Sequence, residues 1–274
     1  MQFVSRDDIK LLSCSSAGIS VGYAFSANKL DFIEKIYKGV NISSPSKLLW
    51  QVFAKGLLQR YIDTIVEDDD NLEIPLCFPV CYVPVWSVKY HWIKGTYNRQ
   101  WKKYIIAATN YPFLKIIPSV VEGRLAIDGG AIDNIPLFPL LQDTKLTPYS
   151  GDLDLIFVAH FDARYDYRRE FDPDIPVIDL DLSYSNNFEK RHQDYSTATI
   201  TKRIEKAYEY GTKIMSRLFS GDNSREYFKK TIDEIYKEER EARKKNFSLD
   251  SIWSFLNVLG KLFRNENKCI DRLY

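Results

Sequence analysis

A serine within a run of small residues is the first candidate for chemistry in this chain. Ile9 to Cys14 is apolar enough for a short buried strand, and Ser15-Ser16-Ala17-Gly18 follows directly. Ile19 to Ala27 then has the apolar character of a buried helix. A sharp turn between a strand and a helix exposes a serine hydroxyl and directs helix N–H groups towards a developing oxyanion. This arrangement is compatible with Ser16 as a nucleophile, but taken alone it favours a serine that caps the helix.

An acidic residue followed by two glycines is the second candidate. Asp128-Gly129-Gly130 comes directly after the apolar Ala126-Ile127. Glycines allow the tight turn from which a carboxylate can project at a strand end. The alternative is an ordinary Asp-Gly turn of a hairpin.

Cysteine and histidine spacing excludes the common zinc motifs. The chain has four cysteines and three histidines, with no C-x-x-C pair: Cys14, Cys77, Cys81, Cys269, His91, His160 and His192. We expect reduced thiols, with Cys14 a small buried residue and no metal site. His160 ends a predicted strand, which favours a structural role; the alternative is a member of a Ser-His-Asp triad. We expect Asp68-Asp69-Asp70 to form a solvated loop.

Composition and charge exclude several classes of protein. The 274 residues are 45% hydrophobic and 27% charged, which is typical of a globular chain rather than a disordered or coiled-coil one. The net charge of +1 makes a nucleic-acid partner unexpected. Because charged residues up to Lys10 precede any apolar run, we expect no signal peptide. The most apolar stretch, Ile74 to Trp86, is too short to span a bilayer. We expect a cytoplasmic protein that could lie on a membrane surface.

Hydrophobic patterns predict the elements that must position these residues. Strands or hairpins are predicted at residues 9–14, 76–88, 104–109, 118–126, 153–159 and 177–182. Helices are predicted at residues 19–27, 30–36, 44–57, 198–218, 225–245 and 248–263. The combination favours a layered α/β fold with a helical C-terminal extension. The apolar face of the last predicted helix favours docking on the α/β part; the alternative is an interfacial helix in a lipid surface.

Together, the two turns resemble the patatin-like phospholipase family. Ser16-Ala17-Gly18 after an apolar strand is similar to that family's G-x-S-x-G elbow, with Cys14 in place of the first glycine. Asp128-Gly129-Gly130, continuing to Asp133-Asn134-Ile135-Pro136, is similar to its aspartate motif.

Weaker likenesses extend the resemblance to roughly residues 8 to 218. Ile105 to Asn110 looks like an internal strand of the family. Asp194-Tyr195-Ser196, before a long helix containing Tyr208-Glu209-Tyr210-Gly211, is similar to bacterial members.

The resemblance implies a three-layer α/β/α fold for residues 1–218 and a helical extension for residues 219–274. It implies a carboxylic ester hydrolase with a Ser–Asp dyad and no histidine, acting on phospholipids or other acyl esters at a peripheral membrane contact. Ser16 would be the nucleophile and Asp128 the base. Ala17, Gly18, Gly129 and Gly130 would support the turns and the oxyanion. No metal or organic cofactor is implied.

One family feature is missing. Members carry a G-G-G-x-[RK]-G loop before the serine, whose N–H groups build the oxyanion hole, and this chain contains no Gly-Gly-Gly. The chain is therefore shortened upstream, or another segment supplies the donors, or the protein is a catalytically impaired lipid-binding or regulatory protein of the same fold. Without the preceding strand, we expect the edge of the strand at residues 9–13 to be covered by the C-terminal helix or by a second copy in a homodimer.

Overall fold

The computed structural model describes residues 3–39, 57–110, 118–140, 153–160, 167–182 and 196–241. The chain divides into two compact units, Met1–Ser216 and Arg217–Tyr274. Helices surround a mixed sheet in the first unit, which confirms an α/β structure. No helix in these described ranges is long and apolar enough to cross a membrane.

The elements are numbered in chain order. The helices are α1 (Ala17–Ser26), α2 (Leu30–Gly39), α3 (Leu57–Ile65), α4 (Arg99–Ala108), α5 (Thr197–Leu218) and α6 (residues 225–241). The strands are β1 (Leu12–Ser13), β2 (Asn71–Val83), β3 (Ser87–Thr96), β4 (Ser119–Val121), β5 (Arg124–Asp128), β6 (Ile156–His160) and β7 (Val177–Asp181). The predicted helices at residues 44–57 and 248–263 lie almost entirely outside the described ranges.

The long strand β2 organises the main sheet. β3 pairs with it antiparallel along most of its length and occupies one edge. The other edge is shared: β1 pairs parallel at Leu76 and Cys77, and β5 pairs antiparallel from Val80 to Val83. Since β1 and β5 run in opposite directions along the same edge, their C-terminal ends meet beside Phe78 and Pro79. This meeting point is where the two predicted turns begin.

The buried stretch of β2 explains its central place. Every residue from Ile74 to Tyr82 is buried, and successive strand side chains point to opposite faces, so both faces of β2 are covered. α1 and α4 both pack against β2. Ile19 and Tyr23 of α1 and Ile105 of α4 are fully buried in the same core.

The hairpin predicted around Glu122-Gly123 is confirmed. β4 and β5 pair antiparallel, and Glu122 and Gly123 have φ angles of 52° and 73°. Two successive positive φ angles are typical of a turn whose twist matches that of the flanking strands. The hairpin matters for the site because β5 ends at Asp128.

The strand predicted at residues 104–109 is wrong, since this segment belongs to helix α4. Asn98 caps the helix by accepting a hydrogen bond from the Gln100 N–H at 2.9 Å. Trp101, Ile105 and Ala108 are buried at helical spacing. The likeness of Ile105 to Asn110 to an internal family strand therefore fails, because a short apolar run alone does not distinguish a strand from a buried helical turn.

The loop at Asp68-Asp69-Asp70 is exposed to solvent only in part. Asp68 and Asp69 are exposed as predicted, but Asp70 is buried. Its carboxylate accepts hydrogen bonds from the Tyr23 hydroxyl at 2.8 Å and the Glu67 N–H at 2.9 Å, and forms an ion pair with Lys29. A buried carboxylate requires such partners, so Asp70 connects the loop to α1 and to Lys29, the residue before α2.

The second unit contains a small core of its own. Leu218, Phe228, Ile232 and Ile235 are buried. The Arg217 guanidinium donates to both carboxylate oxygens of Glu238, at 2.8 and 3.0 Å. The predicted helix at residues 225–245 is confirmed as far as residue 241.

His91 on β3 makes the stability of the protein sensitive to acid. It is buried against the Tyr104 ring, with centroids 4.1 Å apart, and its Nε2 lies 3.1 Å from the Tyr82 hydroxyl. Burial lowers the pKa of His91 from 6.5 to about 4. The unfolded chain therefore binds a proton between these pH values that the folded chain does not, and stability falls as the pH is lowered through this window.

Urea unfolding at pH 7, 5 and 4 checks this expectation. The loss attributable to His91 is at most about 3 kcal/mol, from 1.36 kcal/mol per pKa unit. The non-titrating His91→Gln variant should lose less stability over the same range than the parent. An equal loss in both proteins would contradict the assignment.

Candidate active site

Ser16 stands in a strained turn between β1 and α1. The Cys14 N–H donates to the Cys77 carbonyl at 2.9 Å, so the chain leaves β2 only after this residue. Ser16 has φ 51° and ψ −128°, an unfavourable conformation for a residue other than glycine. Its side chain makes no capping hydrogen bond to α1. The alternative of a helix-capping serine is therefore wrong.

The Ser16 hydroxyl donates a hydrogen bond of 2.6 Å to Oδ2 of Asp128. The predicted contact between the two side chains is thus confirmed. Oδ1 of Asp128 accepts a second hydrogen bond from the Gly130 N–H at 2.8 Å. Asp128-Gly129 is not the turn of a hairpin, because Gly129–Ala131 form a 3₁₀ turn that leads away from β5.

The backbone of Asp128 is held from two directions. Asp128 pairs with Val80 of β2, and its N–H donates to the Asn110 carbonyl at 3.0 Å. Asn110 is fully buried just after α4, and its side-chain amide donates to Ser119 Oγ at 3.3 Å. Asn110 therefore connects α4 to the turn at residues 128–131, here called the acidic turn. The sequence marked Asn110 only as the last residue of the segment that resembled an internal family strand.

Close packing explains both glycines of the acidic turn. A Cβ on Gly129 would lie 2.3 Å from the Pro79 carbonyl oxygen, in the gap between β1 and β5 on the edge of β2. A Cβ on Gly130 would lie 2.9 Å from Ser15 Oγ and 3.0 Å from Asp128 Oδ1. Gly129 therefore requires glycine because its near neighbours are backbone atoms, whereas a Cβ on Gly130 would press on the side chains of Ser15 and Asp128.

Close packing near Ser16 falls on Gly22, not on Gly18 as the sequence motif predicted. A Cβ on Gly18 would meet its nearest neighbour at 3.9 Å, an ordinary contact. At Gly22, one helical turn later, a Cβ would lie 2.7 Å from Cys14 Sγ. The sequence signal for Gly22 is its i, i+4 spacing from Gly18, which brings it over the same face of α1.

Burial determines the acid–base character of the site. Asp128 is fully buried, and desolvation raises the pKa of its carboxyl although the hydrogen bonds from Ser16 and Gly130 act in the opposite direction. Burial also raises the pKa of the Cys14 thiol to about 12. Cys14 is therefore protonated near neutral pH, and its proximity to Ser16 does not make it a nucleophile.

The N-terminus of α1 offers one oxyanion donor. Ala17 and Gly18 are exposed, but the Gly18 N–H already donates to the Ser15 carbonyl at 2.9 Å. The Ala17 N–H has no hydrogen-bond partner within the part of the chain that the structure describes. At this helix end, the Ala17 N–H is therefore able to stabilise a negative charge, whereas the Gly18 N–H is already engaged.

His160 takes no part in this arrangement. It ends β6, which pairs with β7 in a separate two-stranded sheet, and its Nε2 contacts the carboxylate of Asp179. Both side chains are buried. The partner of the Ser16 hydroxyl is Asp128, which favours a dyad over the Ser-His-Asp alternative.

Sequence reasoning did not assign roles to Ser15, Tyr90 or Asp133. The Ser15 hydroxyl donates to the Asp133 carbonyl at 3.2 Å, and the Tyr90 hydroxyl donates to the Asp133 carboxylate. Asp133 belongs to the motif after Gly130, but nothing in its spacing points to Tyr90 on β3. These contacts surround the dyad without touching its reacting atoms.

Comparison with known proteins adds no relative. A scan against protein-family models matches none of them to this chain, and a search of curated proteins finds no similar sequence.

Proposed function

We propose that this chain is a serine acyl hydrolase of the patatin-like type, with a Ser16–Asp128 dyad and a three-layer α/β/α fold. Its substrates would be acyl esters of phospholipids or related lipids, met at a lipid surface. The observation that carries the proposal is the 2.6 Å hydrogen bond from Ser16, in its strained turn, to the buried carboxylate of Asp128.

The geometry supports a two-step acyl transfer. Asp128 accepts the hydroxyl proton while Ser16 Oγ attacks the ester carbonyl, and the carbonyl oxygen gains negative charge facing the Ala17 N–H. Collapse of the tetrahedral intermediate breaks the ester bond, and Asp128 returns the proton to the departing alcohol. Asp128 then takes a proton from water, which attacks the acyl-enzyme. When this second intermediate collapses, Asp128 returns the proton to Ser16 Oγ and the free acid is released. These steps require neither a metal nor an organic cofactor.

The raised pKa of Asp128 suits this role. An ordinary carboxylate is a weak base near neutral pH, whereas a desolvated one holds a proton more readily. Since only the ionised form can accept the serine proton, the rate is expected to fall as the pH is lowered. The midpoint should lie above the usual range of an exposed aspartate.

Exposed apolar side chains in the segment that follows Asp128 favour a lipid-like substrate. Ile132 is 48% exposed and belongs to the same turn as Gly130, since its N–H donates to the Gly129 carbonyl at 3.0 Å. Phe138, a few residues further on, is 38% exposed. Exposed apolar groups next to a polar reacting centre suit an acyl chain better than a hydrophilic ester.

Covalent labelling with a fluorophosphonate tests the proposal. The reagent should add one phosphonyl group to Ser16, located by peptide mass mapping, at a rate that falls on acidification through the raised pKa of Asp128. Ser216, an exposed serine of α5, supplies the control: Ser216→Ala should be labelled like the parent, and Ser16→Ala should not be labelled. Undiminished labelling of Ser16→Ala would overturn the proposal.

One observation favours a second function, that of a lipid-binding or regulatory protein with little turnover. Two of the four residues expected to support the oxyanion have an N–H that is already engaged, Gly18 by the Ser15 carbonyl and Gly130 by Asp128 Oδ1. Removal of one oxyanion donor typically costs about 10²–10³ in rate. Stoichiometric labelling of Ser16 without measurable hydrolysis of a short-chain ester would favour this second function.

A further inference from the structure

Asp133 connects the two turns that carry the dyad. Its carbonyl accepts the hydrogen bond from Ser15, the residue before Ser16, and its N–H donates to the Gly129 carbonyl at 2.9 Å, the residue after Asp128. Its carboxylate accepts the hydrogen bond from the Tyr90 hydroxyl. A single residue therefore contacts the neighbours of both proposed catalytic residues and is itself held by a third element.

Tyr90 is a rigid anchor for this connection. Tyr90 pairs with Pro79 of β2. The Pro79 carbonyl also packs against Gly129, so Pro79 contacts both Tyr90 and the acidic turn. On its other side the Tyr90 ring stacks on Phe138, with centroids 5.2 Å apart and an interplanar angle of 18°. Strand pairing and stacking together limit the movement of the hydroxyl that holds Asp133.

We infer that Tyr90, Asp133 and Ser15 are positioning residues that keep Ser16 and Asp128 within hydrogen-bond distance; we call these three residues the Tyr90 brace. The inference rests on the proposed hydrolase function for its catalytic consequence. None of the three side chains is assigned a proton or a bond to substrate. Their effect is on the distance between two groups that react as one unit.

Loss of the brace has a specific electrostatic consequence. When Asp133 is no longer held, the turn from Gly129 to Ala131 can relax, and the Gly130 N–H can move away from Asp128 Oδ1. A carboxylate that loses a hydrogen-bond donor is harder to ionise, so the pKa of Asp128 should rise further. A residue that affected only global stability would not move this pKa.

Tyr90→Phe is the first test, because it removes the hydroxyl and retains the ring that stacks on Phe138. We expect the rate of fluorophosphonate labelling at Ser16 to fall by about tenfold to hundredfold, the cost of a displacement of about 1 Å. The acidic limb of its pH profile should shift to higher pH. Tyr104→Phe is the matched control, since the Tyr104 hydroxyl also donates to a carboxylate, that of Glu122 at 3.0 Å, without contacting either turn.

Substitutions at Asp133 separate the brace from a general loss of folding. Asp133→Asn keeps an acceptor for the Tyr90 hydroxyl and should retain most of the labelling rate. Asp133→Ala should lose as much as Tyr90→Phe, and the double variant should lose no more than either, because both remove the same contact. Losses that multiply in the double variant would overturn the inference.

Hydrogen exchange provides a measurement that does not depend on activity. In Tyr90→Phe, amides from Gly129 to Asp133 should exchange faster than in Tyr104→Phe, whether or not the protein hydrolyses esters. Unchanged exchange in this segment would overturn the brace. If Tyr90→Phe speeds exchange in this segment while the parent protein is not labelled at Ser16, the proposed function is overturned and the structural connection remains intact.

Discussion

Ser16→Ala and Asp128→Asn should each reduce ester hydrolysis by at least about 10³-fold, and the double variant should be no slower than the slower single variant. The hydroxyl and the carboxylate share one proton across a 2.6 Å hydrogen bond. Without the carboxylate the hydroxyl is not activated, and without the hydroxyl the carboxylate has no nucleophile to activate. The two losses therefore cannot multiply.

Hydrolysis of p-nitrophenyl butyrate, a short-chain activated ester, measures this effect. Asp128→Asn preserves the shape of the side chain and can still accept from the Gly130 N–H, so the fold should persist. Circular dichroism and the melting temperature of each variant check that it does. Activity that survives Ser16→Ala would place the nucleophile elsewhere, and activity that survives Asp128→Asn would place the base elsewhere.

Gly129→Ala should cost about 3 kcal/mol of the free energy of unfolding, at the upper end of overpacking effects. The new Cβ would lie 2.3 Å from the Pro79 carbonyl oxygen and 2.4 Å from its carbon. Both atoms belong to the backbone of β2, which is paired with β3 and buried on both faces, so they cannot move aside. The acidic turn must shift instead, which carries Asp128 away from Ser16 and should lower the labelling rate about 10²-fold.

Gly211→Ala is the matched control for this substitution. Gly211 lies within α5, and a Cβ there would meet nothing within 4 Å. Alanine at an open helical position stabilises a protein by roughly 0.5–1 kcal/mol relative to glycine. Urea unfolding should therefore move in opposite directions for the two variants. A Gly129→Ala protein as stable as the parent would contradict the close packing on Pro79.

Local features of the fold were predictable from the sequence. Three such features depend only on neighbouring residues: the Glu122-Gly123 turn, the start of α1 after small residues, and the buried stretch of β2. The periodicity of residues 198–218 likewise predicted α5. In each case backbone preference and burial favour the same local structure, so a short window of sequence contains the necessary information.

Two errors show where local information fails. Residues 104–109 are apolar enough for a strand, but the Asn98 cap and the burial of Trp101 against the core place them in α4. Asp70 follows two exposed acids and was expected in solvent, yet Tyr23 and Lys29, distant in sequence, provide the partners that allow its burial. The burial of Asp70 depends on tertiary contacts that no local pattern contains, and the Asn98 cap is a local signal that lies outside the apolar run itself.

The sequence by itself determined which side chains were available for chemistry: a serine among small residues and an aspartate before two glycines. Only the tertiary structure decided that they meet. Their contact requires Ser13 to pair with Cys77 and Asp128 to pair with Val80, on the same edge of β2 and from opposite directions. This register is set by hydrogen bonds between segments far apart in the chain. Tyr90 lies beside Pro79 because β3 pairs with the neighbouring strand β2, but its partner Asp133 is 43 residues away in the chain, which is why the brace has no signature in the sequence.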